Sequence, residues 1–227
     1  MQLTVSDVAQ LCNVGENAVF TWVQEDGLPA GKVNGSYQVN AVELLEWATT
    51  RKLNVSPAIF QKLNGDSITG GEIAEAIEAG GVVYGVPGED RQSVLAAIVD
   101  DLPLPDGFDR ASLVQLLVAR QKMGGTALGD GIAIPHPRTP VVLAGAKRVV
   151  RLCFLSQPLD FGAADGKPVD TLFLMICPTV HDHLQQLARL ASVLRDESFR
   201  RILHEKPSQE VIVNEIRRVE ESFQGNP

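Results

Sequence analysis

Between Leu53 and Gly71 the composition shifts toward turn formers, in Asn54-Val55-Ser56-Pro57 and then Asn64-Gly65-Asp66-Ser67-Ile68-Thr69-Gly70-Gly71. Stretches of this kind interrupt helices and strands, so no regular element is expected to run through them. The 227 residues are therefore divided into a small N-terminal part and a medium C-terminal part, rather than one large domain. The expected boundaries are a domain over residues 1–52, a linker over 53–71 and a second domain over 72–227.

The net charge of -8 gives the chain as a whole no polyanion-binding character, so any nucleic-acid contact has to be local. Cys12, Cys153 and Cys177 are an odd, widely spaced set among apolar neighbours, which suits buried thiols in a reducing compartment. There is no leader-like start, and no apolar run approaches the ~20 residues that cross a bilayer. The expected location is the cytoplasm.

In the first domain, Val5, Val8, Ala9 and Leu11 fall on one face of a short helix, with Thr4 or Ser6 as its cap. Asn13-Val14-Gly15 makes a tight turn, and Ala18, Val19, Trp22 and Val23 repeat at helical spacing until Gly27-Leu28-Pro29 stops them. Lys32 to Val39 reads as a hairpin wing around Asn34-Gly35. Asn40-Ala41-Val42-Glu43 then resembles a capping box opening a helix through Trp47. This order resembles the small winged helix-turn-helix domains of the MerR and excisionase type.

That resemblance implies DNA binding, which depends on neutralising phosphates. Thr21, Gln24 and Gln38 stand where basic residues would be expected. Residues 1–52 hold Lys32, Arg51 and Lys52 against Asp7, Glu16, Glu25, Asp26, Glu43 and Glu46. Weak DNA binding and a protein-binding or self-association role both remain open. Trp22 and Trp47 are expected to pack in the core.

From Ile73 onward, helical stretches alternate with short apolar runs, the order of an α/β domain. The helical stretches are Ile73–Ala79, Arg91–Val99, Arg110–Lys122, His183–Leu194 and Gln209–Glu220, and the apolar runs include Val82–Val86, Gly131–Ile134, Val149–Leu155 and Thr171–Cys177. Within this part, Gly124 to His136 places one histidine at the end of a glycine-punctuated apolar run. Glycines let the backbone approach a ligand closely, and Pro135 stiffens the chain before the imidazole.

Arg120, Thr126, Gly129, Gly131, Ala133, Pro135 and His136, followed by His183-Leu184-Gln185-Gln186-Leu187, resemble the site signature of one family. It is the IIA proteins of the bacterial phosphotransferase system, of the fructose/mannitol and nitrogen-regulatory type. The resemblance runs from about Ile73 to near Phe223 and includes Gln157–Phe161 and Gly166–Asp170, which in the family join strands of the sheet. Gly125 stands where a serine is common and Ala127 where a glycine is common.

The resemblance implies a mixed sheet between helical layers and a histidine phosphocarrier of the transferase class. His136 would accept the phosphoryl group. Arg120 would offer a bidentate cation to its oxygens, Thr126 and the amides around Gly129 to Gly131 would donate to them, and His183 would stand beside them. Neutral imidazole, with an ordinary pKa of ~6.5, is a competent nucleophile at neutral pH.

The implied partner is a histidine-containing phosphocarrier protein, with regulated protein targets for a nitrogen-branch switch. No cofactor and no metal is called for: His181 and His183 would point to different helix faces, and no cysteine pair lies near them. No Gly-x-x-x-x-Gly-Lys-Ser/Thr or Gly-x-Ser-x-Gly motif occurs. His204 is expected on a solvated surface. The rival reading is a DNA-binding transcription regulator whose IIA-like half senses phosphorylation. The donor, the final acceptor and the oligomeric state stay open at this stage.

Overall fold

The computed structural model describes residues 2–33, 35–51, 53, 55–56, 73–122, 126–137, 141 and 148–224. Most of the linker expected over 53–71 lies outside the described residues, as does Asn34 of the wing. The chain divides into two compact units, Met1–Gly70 and Gly71–Pro227.

The first unit begins with a strand, β1 (Gln2–Thr4), immediately ahead of the first helix. Thr4 closes a capping box on α1 (Val5–Cys12): its Oγ1 accepts from Asp7 N at 3.1 Å while Asp7 Oδ2 accepts from Thr4 N at 2.9 Å. Asn13, left-handed at φ 53°, ends that helix, and α2 (Glu16–Gln24) follows. Strands β2 (Gly31–Val33) and β3 (Ser36–Asn40) form the wing, with Val33 opposite Ser36 and Gly35 at φ 82° in the turn. β1 adds to the other side of β3. Helix α3 (Ala41–Thr50) extends beyond Trp47, whose buried ring packs 5.0 Å from that of half-buried Trp22.

The second unit is a five-stranded mixed sheet with helices on both faces. Its elements are α4 (Ile73–Gly80), β4 (Val82–Val86), α5 (Arg91–Asp100), α6 (Arg110–Lys122), β5 (Ala127–Gly129), β6 (Ile132–Ala133), β7 (Val149–Leu159), β8 (Val169–Ile176), α7 (Val180–Val193), α8 (Glu197–His204) and α9 (Gln209–Gln224). The strand order is β4-β7-β8-β6-β5. β4 with β7 and β6 with β8 are parallel; β7 with β8 and β5 with β6 are antiparallel.

The long central strands are buried on both faces and so read as nearly continuous apolar runs, broken in β7 by Arg151, whose guanidinium donates to the Gly80 carbonyl and to Asp101. Cys153 and Leu155 of β7, with Leu172, Leu174 and Ile176 of β8, join the core under α5 and α6. The alternate residues, Val150, Leu152, Phe154, Phe173 and Met175, are equally buried on the other side. There α4 lies on β7, and α9 packs against α4, α7 and α8. β7 runs on through Gln157-Pro158-Leu159, which the family pattern placed in a connection; the proline is accommodated where the β7–β8 register shifts between Phe154 and Leu159.

Two contacts set the position of α4. Glu220 of α9 accepts from Ile73 N at 2.9 Å and Ala74 N at 3.4 Å, satisfying first-turn amides from 147 and 146 residues away, and Arg189 stands 3.6 Å from the same carboxylate. At the other end Gly80 touches β7: a Cβ there would lie 2.6 Å from the Val150 carbonyl carbon. Gly80→Ala is therefore expected to cost about 1–3 kcal/mol through overpacking. Thermal unfolding checks this, a fall of roughly 2–4 °C per kcal/mol being expected for a unit of this size.

Candidate functional site

The hairpin that leads to His136 is built by its turn. Asp130 at φ 52° and Gly131 at φ 78° supply the two positive-φ residues of a tight two-residue hairpin loop. Its polar groups are spent on the fold. Asp130 N–H donates to Asp165 Oδ2 at 2.8 Å, and the Gly131 carbonyl accepts from Asp170 N at 3.0 Å and Thr171 N at 3.1 Å. Five residues separate this turn from His136, at most about 16 Å at ~3.3 Å per residue of fully extended chain. The hairpin turn thus shapes the strand, and the Asp130 amide is not aimed at a ligand on His136.

Beyond Ala133 the chain stays clamped on both sides. Ile134 N–H donates to Thr126 O at 2.9 Å, and Met175 N–H of β8 donates to Pro135 O, also at 2.9 Å. His136 then turns back on its own backbone, with Nδ1 2.7 Å from the Ile134 carbonyl oxygen. A carbonyl oxygen only accepts, so Nδ1 carries the proton and Nε2 carries the lone pair of the neutral ring. The ring is 3% exposed.

His183 comes from the first turn of α7, whose start is fixed by polar contacts. Thr179 Oγ1 accepts from Asp182 N at 3.0 Å and donates to Asp182 Oδ2 at 2.6 Å, and Arg148 Nε reaches Asp182 Oδ1 at 2.7 Å. The Asp182 carboxylate, between His181 and His183 in the sequence, is thus occupied by a cation and a cap. The His183 ring is buried, with its centroid 4.9 Å from that of His136 and the planes at 60°. The helix N-terminus adds partial positive charge on this side of the site.

Arg120 lies in the last turn of α6 and is 9% exposed, far from the solvated charge that an isolated helix-end arginine would be. Its neighbour Gln121 was not singled out by the sequence. The Gln121 amide nitrogen lies 2.5 Å from Thr126 Oγ1, both groups being buried. Gln121 thus ties the end of α6 to Thr126, and Thr126 ties to Ile134, whose carbonyl holds His136. A glutamine at a helix end has no local pattern to mark it; only its place next to Arg120 could have drawn attention.

Two clefts lie elsewhere on this unit. One of about 630 Å³ surrounds the hairpin turn, lined by Asp130, Lys167, Asp170, Arg200, Arg201 and exposed His204. Its charges largely pair with one another, Asp130 lying 3.0 Å from Arg200 and 3.2 Å from Lys167. The other, about 490 Å³, borders Gln121 and Lys122 at the end of α6. Burial pushes the Cys153 and Cys177 thiols up to about 12, and that of half-buried Cys12 up to about 11, so none is a ready nucleophile.

Residues 76–219, well over half of the chain, match the family described as phosphoenolpyruvate-dependent sugar phosphotransferase system, EIIA 2. The chain belongs to this EIIA family. Residues 3–52 match a helix-turn-helix domain family. A nitrogen regulatory protein of Pseudomonas aeruginosa is 34% identical over 145 residues, covering 62% of this chain and 91% of that protein. A second, from Bradyrhizobium diazoefficiens, is 40% identical over 93 residues, or 40% of this chain and 59% of that one. The crystal structure of nitrogen regulatory protein IIA-Ntr from Neisseria meningitidis superposes with a TM-score of 0.54 at 28% identity, covering 63% of this chain and 98% of that one. The mixed sheet between helical layers is thus the EIIA fold. Among the described residues no helix is long and apolar enough to cross a membrane.

Proposed function

We propose that this EIIA protein is a histidine phosphocarrier that takes a phosphoryl group on His136 Nε2 from a histidine-containing phosphocarrier protein and acts as a regulatory switch in the cytoplasm. The observation that carries the reading is the His136 Nδ1 to Ile134 carbonyl bond, which leaves Nε2 as the nucleophilic nitrogen. In transfer, the P–Nε2 bond forms as the donor's P–N bond breaks, and that electron pair stays on the donor ring. If the donor ring also keeps its second N–H, each ring is neutral when free and imidazolium when phosphorylated, so no proton has to move.

The Ile134 carbonyl oxygen faces the proton of the imidazolium and stabilises it. Arg120 meets the charge on the phosphoryl oxygens, Thr126 offers its hydroxyl with Gln121 holding it, and His183 is an orienting neighbour. Burial shields the phosphohistidine from hydrolysis, so donor docking has to uncover Nε2. The likeness to nitrogen regulatory proteins supports a regulatory role in place of sugar uptake, with regulated proteins as further partners. We assign residues 53–71 as the linker between the domains.

The test is incubation with the phosphorylated carrier, followed by phosphorus NMR of the denatured product. An acid-labile, alkali-stable phosphate on Nε2 is expected. A phosphate on Nδ1, or no label at all, would refute the assignment.

A further inference from the structure

The cleft beside the end of α6 holds charges and a buried acceptor that the fold leaves unused. Its volume of about 490 Å³ falls within the ~300–1,000 Å³ of small-molecule sites. Part of its lining is spent locally. Asp90 caps α5, accepting from Ser93 N at 2.7 Å, and Arg91 pairs with Asp160 at 3.3 Å. Glu89 and Lys122 are exposed, and their side chains form no hydrogen bond or ion pair with the described residues. Gln121 carries the third unused group. Its side chain is buried, Thr126 takes the amide nitrogen, and Oε1 has no hydrogen bond. An acceptor taken out of water without a partner is unfavourable, so an orphan of this kind calls for a donor. Val118 and Leu159, half-buried in the same cleft, supply an apolar wall.

We infer that this cleft binds a small aliphatic α-amino acid. One free carboxylate, one free ammonium and a buried acceptor beside an apolar wall match a zwitterion. The ligand's carboxylate meets Lys122, its ammonium meets Glu89 and donates to Gln121 Oε1, and its side chain lies against Val118 and Leu159. A plain anion faces the Glu89 carboxylate and cannot donate to Oε1, and a plain cation leaves Lys122 unanswered. Because the Gln121 amide nitrogen holds Thr126, an occupied cleft also fixes the Thr126 hydroxyl. That coupling to His136 rests on the phosphocarrier reading; the binding itself does not.

Titration of the nitrogen-15-labelled full chain with leucine, followed by calorimetry and NMR, tests the site. Saturable one-to-one binding that shifts the Gln121 side-chain amide is expected. Isocaproate, which lacks the ammonium, and isoamylamine, which lacks the carboxylate, should each bind at least ~10-fold more weakly. Glu89→Gln and Lys122→Met, at exposed positions without partners, should each weaken leucine ~10-fold with unchanged thermal unfolding. Saturating leucine should raise the phosphotransfer rate ~5-fold or more in the parent, and the same concentration should do so less in Lys122→Met. No saturable binding up to ~10 mM leucine overturns the site. Equal binding of either analogue, binding that ignores both substitutions, or shifts confined to resonances away from Gln121 overturn it as well. Binding that leaves the transfer rate unchanged overturns the coupling. A chain that binds leucine as expected yet takes no phosphate supports the site and refutes the phosphocarrier reading.

Discussion

His136→Ala is expected to abolish acid-labile phosphorylation by the phosphorylated carrier, with the unchanged protein labelled stoichiometrically. The expected loss is complete because the substitution removes the attacking nitrogen, not a helper, and His183 cannot replace it. The His183 ring sits in the first turn of α7, held by the Thr179–Asp182–Arg148 contacts, and not on the strand end that presents Nε2. The variant also leaves the Ile134 carbonyl without the imidazole N–H, a buried loss worth about 1–3 kcal/mol. Mass spectrometry of the intact protein should therefore be paired with thermal unfolding, so that absence of label is read on a folded chain. Label retained at wild-type stoichiometry in His136→Ala would move the acceptor to another residue.

The parts of the fold that were legible in the sequence are those fixed by local chemistry. The apolar runs at Val82–Val86, Val149–Leu155 and Thr171–Cys177 correspond to β4, β7 and β8; the runs in β7 and β8 are buried on both faces, with Arg151 of β7 held there by the Gly80 carbonyl and Asp101. Arg110–Lys122 coincides with α6 because its apolar spacing is uninterrupted. The helix-turn-helix order was readable from caps and turns, each a signal within four residues.

What escaped was set by distant partners. β1 exists because Leu3 pairs with Val39, and β5 because Ala127 pairs with Ala133; neither three-residue segment has a period of its own. Glu220 reads as one more surface acid on an amphipathic helix, yet its carboxylate caps α4 from the far end of the unit. At the site the same division holds. The Gly-x-Ala-x-Pro-His run could be seen in the chain, whereas the Gln121–Thr126 bond that anchors it could not, and the Asp130 amide was taken by Asp165, a residue 35 positions away.

Arg120→Ala is expected to slow phosphotransfer more than His183→Ala. Charge gathers on the phosphoryl oxygens in the transition state, and a buried, fixed guanidinium opposes it without reorganisation; removing one such oriented donor typically costs ~100-fold or more in rate. His183 stands beside the acceptor ring with its centroid 4.9 Å away, so its loss alters the ring's setting and leaves the charge balance unchanged. Some transfer should remain in His183→Ala, with the main change in how long the phosphohistidine survives. Rapid-quench kinetics with the phosphorylated carrier separates these effects, provided both variants are compared at matched folding stability, since Arg120 also sits at the end of α6 beside the Gln121–Thr126 tie. Arg120→Lys sharpens the comparison: it keeps the charge and loses the planar fork, so a rate between those of the parent and Arg120→Ala is expected if bidentate contact matters. A parent-like rate in Arg120→Ala would take the arginine out of the site and leave the first turn of α7 and the Thr126 hydroxyl to balance the phosphoryl charge.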